Sequence, residues 1–180
     1  MNQTALLIID AQLGMFSGRP IHQAEETLGV ISSLIAQARA ARTPVVYIQD
    51  DDVGGYGTPE WEVHPALDPR PGDVRIRKQA ADSFVDSDLQ AELEVRSIEH
   101  LVITGFQTPF CVDVTSRRAA YLGYAVTLVA DGHSASDQGA LSGRQVVEYH
   151  NQLLDGMIGP DHGFGKLRGI EVRPSAEIKF

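Results

Sequence analysis

The sequence has little cysteine, few basic side chains and no long apolar run. Cys111 is the single cysteine among 180 residues, so no disulfide can form within the chain. We therefore expect the protein to be located in the reducing cytoplasm. Lysine and arginine number 15 against 24 aspartates and glutamates, and the formal net charge of -9 argues against a nucleic-acid or anionic-membrane partner. No apolar run approaches the roughly 18 residues of a membrane span, and no basic leader precedes the first apolar run, so we expect no signal peptide.

Motifs for nucleotides and metals are also missing. The stretch AQLGMFSG after the first apolar run has neither a GxGxxG nor a Walker pattern, which argues against a nucleotide-binding loop there. The adjacent acids Asp50, Asp51 and Asp52 have no histidine at metal-site spacing. We therefore expect a solvated or helix-capping loop, no catalytic metal and no cofactor. No repeat or linker interrupts the chain, which favours one domain over residues 1–180.

Apolar runs alternate with amphipathic segments along the whole chain. Continuous apolar runs are typical of strands buried in a parallel sheet, and the spacing of Leu28, Ile31 and Ile35 predicts a helix over Glu25–Ala41. Capping-box matches at Ser87–Gln90 and Ser142–Gln145 each predict the start of another helix. The alternation predicts an α/β protein built as a three-layer α/β/α sandwich. The expected strands are Thr4–Asp10, Val45–Ile48, Asp73–Lys78, Leu101–Ile103, Ala125–Val129 and Ile170–Val172.

The segment from Leu101 to Val129 carries the thiol. Its pattern predicts a strand, a tight turn, a helix and a strand, with Thr108 placed to cap the helix and Pro109 suited to its first turn. Cys111 then falls in that first turn, where free backbone N–H groups and the helix dipole favour a thiolate. The same position lies just beyond the carboxyl end of the predicted strand, and open α/β sheets have their active sites at the edge formed by the carboxyl ends of the strands. Position alone leaves open the alternative that Cys111 is an inert core residue.

Other polar residues stand at the ends of expected strands. Asp10 follows the first strand and Lys78 ends the third, which places both near the edge that carries Cys111. A turn-capping aspartate and a surface lysine are the alternatives for these two. His133 invites a Cys–His dyad, but it lies in the polar segment DGHSASD, which favours a surface or supporting role.

These residues belong to an ordered set of motifs that spans about Ala5 to Val172. The motifs are LLIIDAQLGMF, PVVYIQ, HPALDPRPGDVRIRKQAADSFVDSDL, LVITGFQTPFCVDVTSRRAAYLGYAVTLVADGHS and a late HN. Together they resemble the isochorismatase-like cysteine hydrolases, and K-x-x-x-D-S-F with G-x-Q-T-x-x-C-V-D resembles their streptothricin hydrolase-like branch. The resemblance implies a six-stranded parallel sheet of order 3-2-1-4-5-6. It also implies a catalytic triad of Asp10, Lys78 and Cys111.

The resemblance further implies a mechanism. A cis peptide bond between Phe106 and Gln107 would aim the Gln107 N–H alongside that of Cys111 as an oxyanion hole. Cys111 would attack a carbonyl carbon and form an acyl-enzyme, while Asp10 moves the proton and Lys78 supplies positive charge. The implied substrates are small amides, cyclic amides or N-carbamoyl compounds. The alternatives are an isochorismate-type vinyl ether hydrolase, which needs no acyl-enzyme, and a non-catalytic ligand-binding scaffold.

The family resemblance also leads to expectations about metal binding, oligomeric state and the residues that line the pocket. Nicotinamidases of this superfamily carry a D-x-H metal pattern where this chain has QDDDVGGYG, so nicotinamide is not expected as the main substrate. Family members are commonly homodimers or higher homo-oligomers, and the loop from Gly54 to Asp68 is the candidate contact region. The residues expected to line a pocket for a small-molecule substrate are Phe16, Trp61, Phe84, Gln107 and Phe110.

Overall fold

One parallel sheet organises the chain. A computed structural model describes residues 3–157 and 168–180. Within them six strands pair in the order β3-β2-β1-β4-β5-β6, and every pair is parallel, which confirms the implied topology. The strands are β1 (Thr4–Ile9), β2 (Val45–Asp50), β3 (Val74–Lys78), β4 (His100–Phe106), β5 (Ala125–Ser134) and β6 (Ile170–Arg173).

Helices lie on both faces of this sheet. They are α1 (Ala24–Ala40), α2 (Leu89–Val95), α3 (Asp113–Tyr121) and α4 (Gly143–Leu154). The strand β1 sends Leu6 and Ile8 into the hydrophobic cluster under α1, and Leu7 and Ile9 into the cluster under α2 and α3. Because side chains alternate along a strand, one apolar strand supplies both clusters. The three-layer prediction is therefore confirmed. None of the described helices has the length and apolar character needed to cross a membrane.

Of the two helix starts predicted from capping boxes, one differs in the structure and one is confirmed. The capping box predicted at Ser87–Gln90 is wrong, because α2 begins at Leu89 and its N-cap, Asp88, makes no side-chain capping bond. The Ser87 hydroxyl instead accepts the Leu89 N–H at 3.3 Å. The capping box at Ser142–Gln145 is confirmed.

The carboxyl ends of the four strands β1 to β4 form the edge that carries the polar residues. Gly105 of β4 lies opposite Ile9 with φ 123°, and a Cβ there would stand 2.1 Å from the Ile9 carbonyl oxygen. Only glycine allows this close approach of β4 to β1. The next residue of the first strand, Asp10, has φ 50°, in the left-handed region that aspartate enters more readily than most residues. Both features bring Asp10 and the turn after β4 together.

Candidate active site

The Lys78 ammonium is the centre of the polar cluster at this edge. Its Nζ lies 3.0 Å from Asp10 Oδ2 and 3.4 Å from Cys111 Sγ, and it also donates a hydrogen bond to Asp50 Oδ2. The side chains of Lys78 and Asp10 have no exposure to solvent. The structure thus brings together the three residues that the sequence analysis selected, and it adds Asp50.

Asp10 is a fully buried carboxylate without a well-directed donor. Neither of its oxygens has a hydrogen-bond partner of ordinary geometry among the described residues. Burial raises the pKa of Asp10 to about 6; Lys78 and Cys111 act in the opposite direction, and the charge of Asp50 adds to the rise. At neutral pH Asp10 is therefore ionised, yet it is a far better base than an exposed aspartate.

Burial and charge at this site oppose the Cys111 thiolate that the sequence predicts. Cys111 lies in a π-helical turn, Thr108–Val112, that precedes α3. Burial and the neighbouring Asp10 carboxylate raise the pKa of Cys111 to about 12, while Lys78 lowers it. Burial and the Asp10 charge therefore oppose the stabilisation of a thiolate by the helix N-terminus. A nucleophilic sulfur here requires a base to remove its proton.

Lys78 remains charged although it is buried. Burial lowers the pKa of this amine, but the charge of Asp10 and the hydrogen bonds to Asp50 and Asp10 outweigh burial. The net result is a pKa above the usual range of lysine. Lys78 is consequently a fixed positive charge beside the sulfur.

Asp50 is a member of the site that sequence reasoning missed. It was assigned to a solvated or capping loop, whereas it is the last residue of β2, only 8% exposed, and in register with Lys78. The buried Gln12 side chain accepts the Asp50 N–H at 2.8 Å and donates to the Asp50 carbonyl at 3.0 Å. Strand length was the signal available in the sequence, because a strand of typical length that begins at Val45 ends near Asp50.

The other two acids of that run make no contact with the Lys78 ammonium, and only Asp52 is exposed as a solvated loop would predict. Asp51 pairs with Arg77, and Gln79 donates to it at 3.1 Å. Asp52 is exposed. Two of the three acids therefore lie outside the buried cluster.

The donor set at the site suits an ammonium better than a metal ion. Ligand atoms of Asp10, Asp50 and Cys111 all lie within 4.8 Å of one another. Lys78 stands among them and already balances part of their negative charge. A divalent cation would be repelled by this buried ammonium, so these residues do not form a favourable metal site.

His133 is buried, so of the two expected roles, surface or supporting, the structure agrees with the supporting one. It lies within β5 at 1% exposure, and burial lowers its pKa to about 4. Asn151 donates to the Ala130 carbonyl through Nδ2, so its Oδ1 accepts from His133 Nε2 at 2.9 Å. His133 Nδ1 is then the acceptor for the Thr108 hydroxyl at 2.9 Å. Both ring nitrogens are occupied, so His133 anchors the turn of Cys111 and does not serve as its base.

The expected pocket residues occupy different environments. Phe110, beside Cys111, is half exposed. Gln107 Oε1 accepts from the Ser136 N–H at 3.3 Å, and the peptide bond before Gln107 is cis. Phe16 is partly exposed, whereas Phe84 belongs to the buried cluster against which Cys111 packs. Trp61 is buried, and its carbonyl accepts from the side chains of Gln12 and Gln49.

Comparison with known proteins identifies the class of protein that this fold and site define. The isochorismatase domain family matches residues 4–157, and the chain belongs to that family. The crystal structure of an isochorismatase family protein matches with a TM-score of 0.86 and 29% identity, over 96% of this chain and 98% of the other.

Several curated proteins resemble this chain. Streptothricin hydrolase of Streptomyces noursei is 35% identical over 74% of this chain and 50% of its own length, so this chain spans about half of that relative. The secreted isochorismatase effector Isc1 of Verticillium dahliae is 30% identical, over 81% of this chain and 80% of its own. The ureidoacrylate amidohydrolase RutB of Variovorax paradoxus is 29% identical, over 72% and 68%.

Proposed function

We propose that this chain is a cysteine-dependent hydrolase that cleaves a C–N bond of a small amide, cyclic amide or N-carbamoyl compound through an acyl-enzyme. The observation that carries the proposal is the Lys78 ammonium, 3.0 Å from the Asp10 carboxylate and 3.4 Å from the Cys111 sulfur. This arrangement supplies a nucleophile, a base and a fixed positive charge in one buried cluster. The relative named as an amidohydrolase supports the same class of reaction.

Acylation begins with the proton of the Cys111 thiol. Asp10 takes that proton as the sulfur attacks the carbonyl carbon, and the carbonyl π electrons move to oxygen. Because the thiol is a much weaker acid than Asp10, proton transfer and attack proceed together. The tetrahedral intermediate then collapses, the C–N bond breaks, and the nitrogen leaves with the proton from Asp10.

Deacylation uses the same groups in reverse. A water molecule gives one proton to Asp10 while its oxygen bonds to the acyl carbon. The C–S bond then breaks, and the proton returns from Asp10 to the sulfur. The products are a carboxylic acid and ammonia or an amine; an N-carbamoyl substrate yields a carbamic acid that loses carbon dioxide.

The tetrahedral oxyanion needs donors beside the sulfur. We assign this role to the backbone N–H groups of Gln107 and Cys111. In support, the Gln107 N–H has no hydrogen-bond acceptor within the residues that the structure describes. One such donor contributes roughly 3–4 kcal/mol to transition-state stabilisation.

Intact-mass analysis tests the proposal directly. Wild type and Cys111→Ala are incubated with a panel of amides, lactams and carbamoyl compounds, and released ammonia or amine is measured in parallel. An acyl adduct on wild type alone, with amine release, supports the proposal. Release of ammonia or amine by Cys111→Ala at the wild-type rate contradicts the proposal. It is also contradicted if wild type forms no acyl adduct and releases no ammonia or amine with any compound of the panel.

The vinyl ether reaction is the second candidate. The relative named as an isochorismatase effector favours it, since the match covers four-fifths of that protein. Ether cleavage needs no acyl-enzyme, so it is expected to survive in Cys111→Ala, whereas amide hydrolysis is lost.

Retention of Asp10, Lys78 and Cys111 in one cluster argues against the third alternative, a non-catalytic ligand-binding scaffold.

We also propose a homodimer or higher homo-oligomer located in the cytoplasm. A catalytic thiol must stay reduced, which favours a reducing compartment. The half-exposed Phe110 beside Cys111 is an apolar surface that substrate or a second copy can cover. Sedimentation equilibrium tests the assembly; a monomer at all concentrations contradicts it. Fractionation of cells that produce the chain tests the location.

A further inference from the structure

One ammonium faces two carboxylates in this site. Lys78 Nζ contacts Asp10 Oδ2 at 3.0 Å and donates to Asp50 Oδ2. The described charged and titratable groups that face Asp10 are Lys78, Asp50 and the Cys111 thiol. With the thiol protonated, the cluster holds two negative charges and one positive charge. The positive charge available to Asp10 is therefore shared.

Asp50 is held in this position by contacts other than its ion pair with the Lys78 ammonium. Its backbone N–H and carbonyl both bond to the Gln12 side chain, and its backbone pairs in register with that of Lys78. Its Oδ1 accepts the Asp52 N–H at 3.0 Å, which leaves Oδ2 for the ammonium. These contacts fix the Asp50 carboxylate beside the ammonium that also contacts Asp10.

We propose that Asp50 is a positioning residue, which shares the Lys78 ammonium with Asp10 and so keeps Asp10 basic enough to take the Cys111 proton. The physical reason is electrostatic: an ammonium divided between two carboxylates stabilises each of them less than it would stabilise one alone. The inference rests on the proposed function only in treating Asp10 as the base. It requires no particular substrate.

The rate of Cys111 alkylation by iodoacetamide as a function of pH tests this proposal. Cys111 is the only cysteine of the chain, so one added carbamidomethyl mass reports on it alone. Asp50→Asn and Asp50→Ser remove the charge, Asp50→Glu retains it, and Asp51→Asn is the matched control. Asp51 belongs to the same run of acids but pairs with Arg77 outside the site.

We expect the acid limb of the alkylation profile to move about one pH unit lower in Asp50→Asn and Asp50→Ser. Asp50→Glu and Asp51→Asn are expected to keep the wild-type limb. In the hydrolysis assay, Asp50→Asn should lower kcat roughly three- to tenfold with a smaller change in KM, because a weaker base faces the same substrate pocket.

An acid limb that stays at the wild-type pH in Asp50→Asn overturns the proposal, as does an equal shift in Asp51→Asn. Because alkylation needs no substrate, the proposed function can fail separately. A shifted limb together with no amide cleavage by wild type would support the role of Asp50 and reject the amidohydrolase assignment.

Discussion

The Asp10 carboxylate and the Lys78 ammonium form a 3.0 Å ion pair in which neither side chain is exposed to solvent. Such a pair has two consequences. Removal of one partner leaves an uncompensated charge in a medium of low dielectric constant. The protonation of the surviving partner then controls both stability and reactivity.

Removal of the ammonium is expected to destabilise the protein. Lys78→Ala leaves Asp10 and Asp50 facing each other without a counter-charge, so the free energy of unfolding should fall by about 3–5 kcal/mol and activity should be lost. Urea denaturation measures the change. Lys179→Ala removes an exposed lysine and should change stability by less than about 0.5 kcal/mol. Equal effects of the two substitutions would contradict the buried pair.

The pH dependence of hydrolysis should follow Asp10. Since burial raises the pKa of Asp10 to about 6, we expect kcat/KM to rise through about pH 6 and then reach a plateau. Below that pH Asp10 is protonated and cannot take the thiol proton. The measurement is kcat/KM from about pH 4 to 9. Asp10→Asn should remove activity across the range; an acid limb near the pKa of an exposed aspartate would reject Asp10 as the base.

Asp10 should also impose an opposite trend on stability. Its pKa is higher in the folded chain, about 6, than the ordinary value of 3.8. The folded state therefore binds the proton more tightly, and this contribution to stability is present below about pH 4 and lost as pH rises through about 6. The loss amounts to roughly 3 kcal/mol. In Asp10→Asn this part of the pH dependence should disappear from urea melts; an unchanged pH dependence would refute the conclusion that burial of Asp10 outweighs its ion pair with Lys78.

Gly105 should tolerate no side chain. Gly105→Ala places a Cβ 2.1 Å from the Ile9 carbonyl at φ 123°, so we expect a loss of at least about 3 kcal/mol or failure to fold. Gly72→Ala is the matched control, because nothing lies within 4 Å of a Cβ there. Thermal denaturation and the yield of folded protein compare the two. Similar melting temperatures would show that β4 does not approach β1 as closely as described.

The Thr108 hydroxyl should support the turn of Cys111. Thr108→Val leaves His133 Nδ1 without its donor, and this should cost about 1–3 kcal/mol of stability and reduce kcat. Thr108→Ser keeps the hydroxyl and should retain most of both. The acid limb of kcat/KM should stay where it is in wild type, since His133 is neutral and Asp10 is untouched. A displaced limb in Thr108→Val would instead indicate that His133 takes part in proton transfer.

Part of this site follows from local sequence pattern. The apolar runs that become β1 and β4 are continuous because both faces of a parallel strand are covered, and the residues after them must lie at one edge. This pattern places Asp10 and Cys111 at that edge, whereas their catalytic roles are implied by the family resemblance. Lys78 was selected through the family resemblance, because a lone lysine at a strand end has no distinguishing local pattern.

Two members of the polar network could not be recognised from local pattern. Asp50 stands in a run of three acids that is hydrophilic on average, and its inward direction depends on pairing with β3 and on Gln12. His133 stands in a polar segment, yet β5 continues through it and buries it against Thr108 and Asn151. Composition describes a segment as a whole, whereas burial is decided for each side chain by what packs against it.

By itself the sequence determined the alternation of strands and helices, the edge of the sheet that carries the chemistry, and the presence of one thiol, because these depend on local hydrophobic periodicity and chain order. Only the tertiary structure decided which groups of the site carry a proton and which further residues, Asp50 and His133, belong to its polar network. The resting thiol of Cys111, the raised pKa of Asp10 and the sharing of Lys78 with Asp50 all arise from burial and from charges distant in sequence. Desolvation and Coulomb energy depend on distances in three dimensions, which no one-dimensional pattern contains.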